Sequence, residues 1–214
     1  KRYFSAADTP CVDDVAGITV GITIGEDIWH KEPADAVRRV GAELLINLNA
    51  SPFHRGKRRE RWQVLADRAT EQTIPMIYVN QVGGQDELVF DGGSFAVNAD
   101  GELAVVAPDF EEGCFDLSVE RTVRGVEIAQ GVAATALSDV AAVWQALVLG
   151  VRDYVEKNGF PGVVLGLSGG IDSAVTLAVA VDALGADRVQ AVMMPFKYTA
   201  DMSVEDAGEQ ASIM

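Results

Sequence analysis

The pattern of apolar positions in the first part of the chain alternates between two periods. Three short apolar runs, rich in β-branched residues, are typical of buried strands, and the stretches between them have the spacing of amphipathic helices. The predicted order is strand Gly17–Ile24, helix Ala34–Val40, strand Glu43–Asn49, helix Arg55–Gln72 and strand Ile74–Asn80. Strands that alternate with helices form crossover units, so we expect a largely parallel sheet covered by helices.

The pattern changes in the following segment. Short predicted strands at Phe90–Asn98, Gly101–Ala107 and Gly113–Leu117 are separated by turn residues, which favours antiparallel hairpins. These hairpins would close a first domain, residues 1–117. Residues 118–138 contain few large apolar side chains, so we expect a linker there.

A second domain is predicted over residues 139–214. Asp139–Lys157 has the apolar period of a helix, and it is followed by strand Gly162–Leu167, helix Asp172–Gly185 and strand Val189–Met194. A strand, a helix and a second strand in this order predict a βαβ unit, so both domains belong to the α/β class.

The acidic balance of the chain argues against a nucleic-acid surface. The formal net charge of the 214 residues is −15, whereas a face that follows phosphates needs a positive field. One basic cluster, formed by Lys57, Arg58, Arg59 and Arg61, is typical of a solvated first turn of a helix. No apolar run is long enough to span a bilayer. We therefore expect neither a nucleic-acid nor a membrane partner.

The two cysteines of the chain, Cys11 and Cys114, are far apart in sequence. They do not have the spacing of metal ligands, and neither lies in a local nucleophile signature. This usage of cysteine predicts a cytoplasmic protein without disulfides or a zinc site.

A glycine-rich turn with the sequence SGGIDS joins the first strand and the helix of the predicted βαβ unit. Gly169 and Gly170 allow backbone N–H groups to curl around an anion at the positive end of the helix. Ser168 and Ser173 add hydroxyl donors, and Asp172 is suited to hold a cation against a phosphate. The alternative is an ordinary turn in which Ser168 or Asp172 is only the helix N-cap.

This turn resembles the loop of the N-type ATP pyrophosphatases, and it lacks the Gly-Lys-Ser/Thr ending of Walker loops. Members of that family adenylylate a carbonyl or carboxylate oxygen and release pyrophosphate. They include the synthetases for NAD, GMP, asparagine and argininosuccinate. The resemblance implies ATP and Mg²⁺ as cofactors, with Asp172 as the metal ligand. The ATP-binding residues that it implies are Leu167, Ser168, Gly169, Gly170, Ile171, Asp172, Ser173 and Met194.

Three sequence blocks of the first domain indicate which of these synthetases the chain resembles. They are IGEDIW at residues 24–29, NLNASPF at 47–53 and NQVGGQDELVFDG at 80–92. They closely resemble the nitrilase-like glutaminase domain of the glutamine-dependent NAD synthetases. The fold that this implies is a partial nitrilase-like α/β sandwich, followed by a partial parallel α/β domain of the adenine-nucleotide alpha-hydrolase type. We expect the chain to be a fragment of such a protein.

The resemblance also implies a reaction, that of a carbon–nitrogen ligase. In the family, a Cys, a Glu and a Lys hydrolyse glutamine, and the ammonia reaches a second site. There ATP adenylylates deamido-NAD, and ammonia displaces AMP to give NAD. The implied partners are therefore deamido-NAD and glutamine or ammonia as substrates, together with further copies of the chain in a homo-oligomer, an octamer in the family.

The chain departs from the family at the glutaminase nucleophile, because Gly25 stands where the family has cysteine. The family's Glu and Lys would precede residue 1. We therefore predict that the chain does not hydrolyse glutamine by the family mechanism. Glu26, Ser51 and Arg58 resemble glutamine-pocket positions. Glu26 is alternatively a helix-capping residue, and Ser51 part of a simple turn.

Other interpretations stay open at this stage. Met194 resembles a residue that packs on adenine, but a buried core methionine is equally consistent with the sequence. The chain could belong to another amidotransferase with the same loop, such as a GMP synthetase. Alternatively, a glutaminase domain without its nucleophile could be a non-catalytic scaffold for assembly.

Overall fold

The computed structural model describes residue 7 and residues 9–214. The chain divides into two compact units that do not coincide with a single cut in the sequence. The first unit contains the residues up to Val82 together with Phe90–Asp139. The second contains Gly83–Val89 together with Val140–Met214.

The first unit is built on a sheet that has six strands in the described part of the chain. The strands up to this point of the sequence are β1 Cys11–Val15, β2 Ile18–Ile24, β3 Leu44–Asn49, β4 Met76–Asn80, β5 Val82–Gln85, β6 Leu88–Asp91, β7 Phe95–Val97 and β8 Leu103–Val106. In the sheet the order is β1-β2-β3-β4-β7-β8, and β2, β3 and β4 are parallel. The predicted crossover strands are thus confirmed, and antiparallel strands flank them on both sides.

Helices α1 (Lys31–Arg39) and α2 (Lys57–Gln72) pack on one face of this sheet. Their apolar positions meet those of the central strands in a single core. The buried members of that core include Val37, Leu45, Leu65, Ala69, Met76, Tyr78 and Phe95. This packing fixes the carboxyl ends of β2 and β3, which is where the residues of the candidate glutamine pocket begin.

The segment 118–138, predicted as a linker, contains a β-hairpin in the structure. Strands β9 (Leu117–Thr122) and β10 (Gly125–Gly131) pair antiparallel and cover the second face of the sheet. A Cβ on Gly131 would overlap the side chain of Val105, so the hairpin packs closely there. The linker prediction was wrong because the hairpin alternates apolar with charged residues, and few large side chains suffice to cover the sheet.

The second unit contains the predicted βαβ arrangement. Its elements are α3 Asp139–Lys157, β11 Val163–Gly166, α4 Ile171–Leu184, β12 Val189–Val192 and α5 Asp201–Ile213. Strands β11 and β12 are parallel, so the crossover prediction is confirmed. In the described part of the chain, no helix combines the length and the hydropathy needed to cross a membrane.

The tip of the hairpin that β5 and β6 form, residues 83–89, belongs to the second unit, where it packs on α3. The amide of Gly84 donates to Oδ2 of Asp153 at 2.7 Å, and Nζ of Lys157 donates to the Gly84 carbonyl at 2.6 Å. A Cβ on Gly84 would lie 3.2 Å from the Cβ of Asp153, so this close approach favours glycine. Both the N–H and the C=O of Gly84 are therefore hydrogen-bonded to side chains of α3.

Candidate functional site

Gly25 lies at the point where β2 ends and a short 3-10 helix, Gly25–Trp29, begins. Its φ is +58°, in the left-handed region, and a Cβ built on it would meet nothing within 4 Å. The position therefore has room for a side chain, but in a backbone conformation that is unfavourable for residues other than glycine. The adjacent turn is held by a hydrogen bond of 3.0 Å from the Ile24 amide to Oδ2 of Asp27.

A cavity of about 470 Å³ opens beside Gly25 in the first unit. The structure brings Glu26 and Ser51 together on its wall, as the sequence predicts for a shared pocket. Lys57, which was not predicted as a pocket residue, also lines it, and its Nζ lies 4.2 Å from the ring centroid of Trp29. Glu26 and Lys57 give the cavity one negative and one positive group.

Arg58, the third predicted pocket residue, does not line this cavity. Its guanidinium stacks 4.8 Å from the ring centroid of Trp62 and pairs with the carboxylate of Asp109. The Asp109 side chain is buried, which raises its pKa, while the charge of Arg58 opposes that rise. The structure thus assigns Arg58 to a partly buried ion pair at the start of α2.

Arg61 holds the Ser51 loop that forms one wall of the cavity. Its Nη1 lies 2.9 Å from both carboxylate oxygens of Asp91, its Nη2 donates to the Ser51 carbonyl at 2.8 Å, and its Nε donates to Ser51 Oγ at 3.2 Å. The Ser51 amide in turn donates to Oδ1 of Asn80 at 2.9 Å. Ser51 is therefore fixed at its backbone and its hydroxyl, and is more than a simple turn residue.

The burial of Arg61 corrects the prediction of a solvated basic cluster. Only 3% of this residue is exposed, whereas Arg59 of the same helical turn is exposed. A run of basic residues does not by itself indicate which of them is buried, so the burial of Arg61 was not predicted from the sequence. The helical period was the available signal, because Arg61 lies four residues before the buried Leu65 and eight before Ala69.

The two serines of the glycine-rich loop between β11 and α4 form hydrogen bonds within the loop. Ser173 Oγ accepts a hydrogen bond from the Ser168 amide at 3.2 Å and donates to the Gly170 carbonyl at 2.9 Å. The Gly170 amide donates to Ser168 Oγ at 3.3 Å, and Gly169 has a φ of +80°. The N-cap of α4 is Gly170, with no capping side chain, so the alternative role of Ser168 or Asp172 as N-cap does not hold.

A second cavity, of about 340 Å³, lies next to this loop within the second unit. Ser168 and Met194 line it, together with the backbone around Leu167, whose side chain is buried in the core. Met194 is 76% exposed, so it is not a buried core methionine. Ile171 is 74% exposed on the first turn of α4. The predicted ATP-binding residues therefore surround one loop and one open cavity.

Asp172 is the candidate metal ligand at this loop. It lies in the first turn of α4, and no described residue donates a hydrogen bond to its carboxylate. Among the described residues, no group of three or more histidine, cysteine, aspartate or glutamate side chains could hold a metal ion alone. A single free carboxylate suits Mg²⁺, which proteins often bind through one or two carboxylates, with phosphate and water oxygens as the other ligands.

The fold and the cavities described above define a mixed α/β protein of two parts, one built on a mixed sheet covered by helices and one built on a βαβ unit with a glycine-rich loop. The family model for carbon-nitrogen hydrolases matches residues 1–130, and the model for NAD synthase matches residues 143–213. The chain belongs to the carbon-nitrogen hydrolase family.

The chain is also similar over its whole length to glutamine-dependent NAD(+) synthetases. That of Acinetobacter baylyi is 47% identical over 218 residues, which cover 100% of this chain and 39% of the relative. That of Xylella fastidiosa is 47% identical over 212 residues, which cover 98% of this chain and 39% of the relative. The predicted resemblance is thereby confirmed, and the chain spans about two fifths of the length of these relatives.

Solved structures give the same result. The glutamine-dependent NAD+ synthetase from Acinetobacter baumannii, in complex with ADP, matches with a TM-score of 0.92 and 47% identity over 100% of this chain and 40% of that one. An enzyme of the same name from Cytophaga hutchinsonii matches 95% of this chain and 38% of that one at 20% identity, with a TM-score of 0.73, and shares the fold. The mixed α/β class with a nitrilase-like part and an NAD-synthetase part is confirmed.

Proposed function

We propose that this chain carries the ATP-binding part of a carbon–nitrogen ligase that amidates deamido-NAD to NAD through an adenylylated intermediate. The observation that carries the proposal is the loop from Ser168 to Ser173, which opens α4 beside a cavity of about 340 Å³. The similarity to glutamine-dependent NAD synthetases supports the choice of substrate. The block at residues 80–92 favours this reading over a GMP synthetase.

The residues of the loop have distinct roles in the proposed reaction. Backbone amides at Gly169 and Gly170, together with the start of α4, bind the phosphates of ATP and orient them. The Ser168 and Ser173 hydroxyls, which bond each other across 3.1 Å, turn toward phosphate oxygens when the nucleotide binds. Stabilising the charge of the leaving pyrophosphate favours adenylylation.

Mg²⁺ and adenine complete the proposed nucleotide site. When bound, Mg²⁺ neutralises negative charge on the phosphates, and Asp172 is the residue that would hold it. Met194, exposed on the cavity wall, packs on the adenine ring. Binding by Met194 orients the nucleotide, so that its phosphates meet the loop.

For the first unit, we propose a cavity that binds glutamine without hydrolysing it. Glu26 and Ser51 offer polar groups to the amide or amino end of the ligand, and Lys57 offers a positive charge to its carboxylate. Glycine at position 25 provides no nucleophile, so ammonia for the ligase comes from solution. The predicted role of Arg58 is indirect in this proposal, since Arg58 pairs with Asp109.

Three further features belong to the same proposal. The homo-oligomeric assembly and the use of Mg²⁺ rest on the family resemblance, and the cytoplasmic location rests on the usage of cysteine. The alternative function is a scaffold: the absence of a side chain at Gly25 favours it for the first unit. The two functions differ in whether the second unit binds ATP.

Calorimetric titration of the chain with Mg-ATP tests the proposed nucleotide site. We expect Ser173→Ala to weaken binding by about 10-fold, since it removes one hydroxyl that bonds the loop. Ser212→Ala is a matched control, because Ser212 Oγ also donates to a backbone carbonyl of its own helix, that of Gly208 at 2.8 Å. Equal affinity of Ser173→Ala and the unchanged chain would remove the basis of the proposal.

The source of ammonia is tested by NAD formation from deamido-NAD and Mg-ATP in the complete gene product. We expect turnover with ammonia and none with glutamine. Turnover with glutamine would show that position 25 is not the nucleophile. Absence of turnover with either donor would favour the scaffold.

A further inference from the structure

Helix α5 contacts the phosphate loop at two points. Nε2 of Gln210 donates a hydrogen bond to the Gly169 carbonyl at 3.3 Å. The carbonyl of Ser203, in the first turn of α5, lies so close to Gly169 that any Cβ at that position would overlap it. The loop is therefore bounded on one side by a helix that contributes a single side-chain donor to it.

The hydrogen bond from Gln210 fixes the orientation of one peptide unit. The Gly169 carbonyl and the Gly170 N–H belong to the same planar unit, which is trans, because the described residues contain no cis peptide bonds. In a trans peptide the C=O and N–H point in opposite directions. Holding the carbonyl toward α5 therefore directs the Gly170 N–H away from α5, toward Ser168 Oγ at 3.3 Å.

This peptide unit joins two glycines, so steric hindrance alone does not fix its orientation. Glycine populates positive and negative φ about equally, and here Gly169 has a φ of +80° while Gly170 has a φ of −84°. Without a partner for its carbonyl, the unit could rotate and point its oxygen at the phosphates. A carbonyl oxygen facing an anion is repulsive, whereas an N–H group is attractive.

The other end of the Gln210 amide supports a specific role for this side chain. Its Oε1 is buried and has no hydrogen-bond partner among the described residues. An unpaired buried acceptor is destabilising, and an apolar side chain of similar shape would avoid that cost. The advantage of glutamine at this position therefore lies in the single bond that Nε2 makes to the loop.

From these contacts we propose that Gln210 is a positioning residue: it holds the Gly169–Gly170 peptide so that its N–H faces the polyphosphate of ATP. This inference rests on the proposed function of the loop. Gln210 does not touch the nucleotide itself. Its effect is confined to the phosphate end of the ligand, which separates it from a residue that only stabilises the fold.

The test is to compare Mg-ATP and adenosine as probes, by calorimetry, for the unchanged chain and for Gln210→Met. Methionine keeps the length of the side chain and removes the donor. We expect about 10-fold weaker binding of Mg-ATP, since one hydrogen bond is lost, and unchanged binding of adenosine. Glu209→Met, on the exposed neighbouring position of α5, is the matched control and should leave both affinities unchanged.

Each result of this comparison has a definite meaning. Unchanged affinity of Gln210→Met for Mg-ATP would overturn the positioning role, as would an equal loss for Mg-ATP and adenosine. Failure of the unchanged chain to bind Mg-ATP would overturn the proposed function, and this inference with it. Weaker binding of Mg-ATP by Gln210→Met but not by Glu209→Met, with the affinity for adenosine unchanged, supports both the proposed function and the positioning role.

A second variant, Gln210→Glu, gives a signature that a purely structural residue would not give. At pH 7 its carboxylate has no donor and repels the Gly169 carbonyl, so Mg-ATP should bind more weakly than to the methionine variant. Below about pH 4 most of the carboxyl is protonated and can donate. We expect the affinity of Gln210→Glu, relative to the unchanged chain at the same pH, to recover as the pH falls from about 5 to about 4. A ratio that stays constant from pH 7 to about pH 4 would contradict the inference.

Discussion

The guanidinium of Arg61 and the carboxylate of Asp91 form a buried ion pair, with Nη1 2.9 Å from each of the two carboxylate oxygens. Removing one partner leaves an uncompensated charge in the interior, which costs about 3–5 kcal/mol. We expect Arg61→Met and Asp91→Leu each to lower the free energy of unfolding by about that amount. Urea denaturation of the variants measures it.

A surface pair provides the comparison for this prediction. Arg39 and Asp35 lie 3.6 Å apart on α1, with 76% and 38% of their side chains exposed. Arg39→Met should change stability by less than about 1 kcal/mol. The double variant Arg61→Met/Asp91→Leu should lose less than the two single variants combined, because no charge is left unpaired. Strict additivity would show that the two residues do not act as a pair.

The left-handed backbone of Gly25 predicts the effect of introducing a side chain there. A Cβ in this conformation costs roughly 1–2 kcal/mol, although the space around it is open. We expect Gly25→Ala and Gly25→Cys to lower the free energy of unfolding by about that amount, as measured by denaturation. Gly208→Ala, in the middle of α5 and with nothing within 4 Å, should instead be neutral or stabilising. Unchanged stability of Gly25→Ala would contradict the assigned conformation.

Glu43 predicts a pH dependence of stability. Hydrogen bonds from Arg121 and then from the Thr19 amide lower the pKa of Glu43 from 4.5 to about 2. A lowered pKa means that the folded chain favours the ionised form. The stabilisation is therefore complete above pH 4.5 and is lost as the pH falls toward 2. In thermal unfolding, Glu43→Gln should melt below the unchanged chain at pH 6, and the difference should shrink below pH 4.5.

The partner of Glu43 provides the control. Arg121 Nη2 donates to Glu43 Oε2 at 3.0 Å. Arg121→Met should show the same loss at pH 6 and the same convergence in acid. A difference in melting temperature between Arg121→Met and the unchanged chain that stays constant with pH would mean that the ionisation of this exposed pair does not contribute to stability.

Asp153 predicts the protection of one backbone amide. Its carboxylate accepts the Gly84 N–H at 2.7 Å and lies 3.1 Å from Nζ of Lys157. We expect Asp153→Leu to speed hydrogen exchange at Gly84 by about 10-fold, since the loss of this bond removes about 1.4 kcal/mol of local stability. The Gly208 amide, inside α5, should keep its rate. Equal rates at Gly84 before and after the change would exclude this bond in solution.

Much of the fold could be predicted from apolar periodicity alone. The helix Asp139–Lys157 and the parallel strands β2, β3 and β4 follow from it, because their burial sets the spacing of apolar residues. The edge strand β1 could not be predicted, since it exposes most of its residues and carries acidic ones. The hairpin of β9 and β10 was not predicted for a related reason, because only alternate residues of it contact the sheet.

The candidate site could be predicted in part. The loop at Ser168 combines a strand, glycines and a helix start, so its sequence determines its position. Arg58 and Arg61 show the limit. Both belong to one basic run, and only the packing of α2 decides that Arg61 is buried beside Asp91 while Arg58 turns to Asp109. No sequence pattern indicated the role of Gln210, because its contact with Gly169 depends on how α5 packs against the loop.

The tip at residues 83–89 has a consequence for the modularity of this chain. Since those residues belong to the second unit, that unit is not contiguous in the gene. A recombination event or an expression boundary placed at residue 139 would separate Asp153 and Lys157 from their backbone partner Gly84. Exchanging one part for a homologous part therefore requires the donor to supply a tip that fits the recipient's α3.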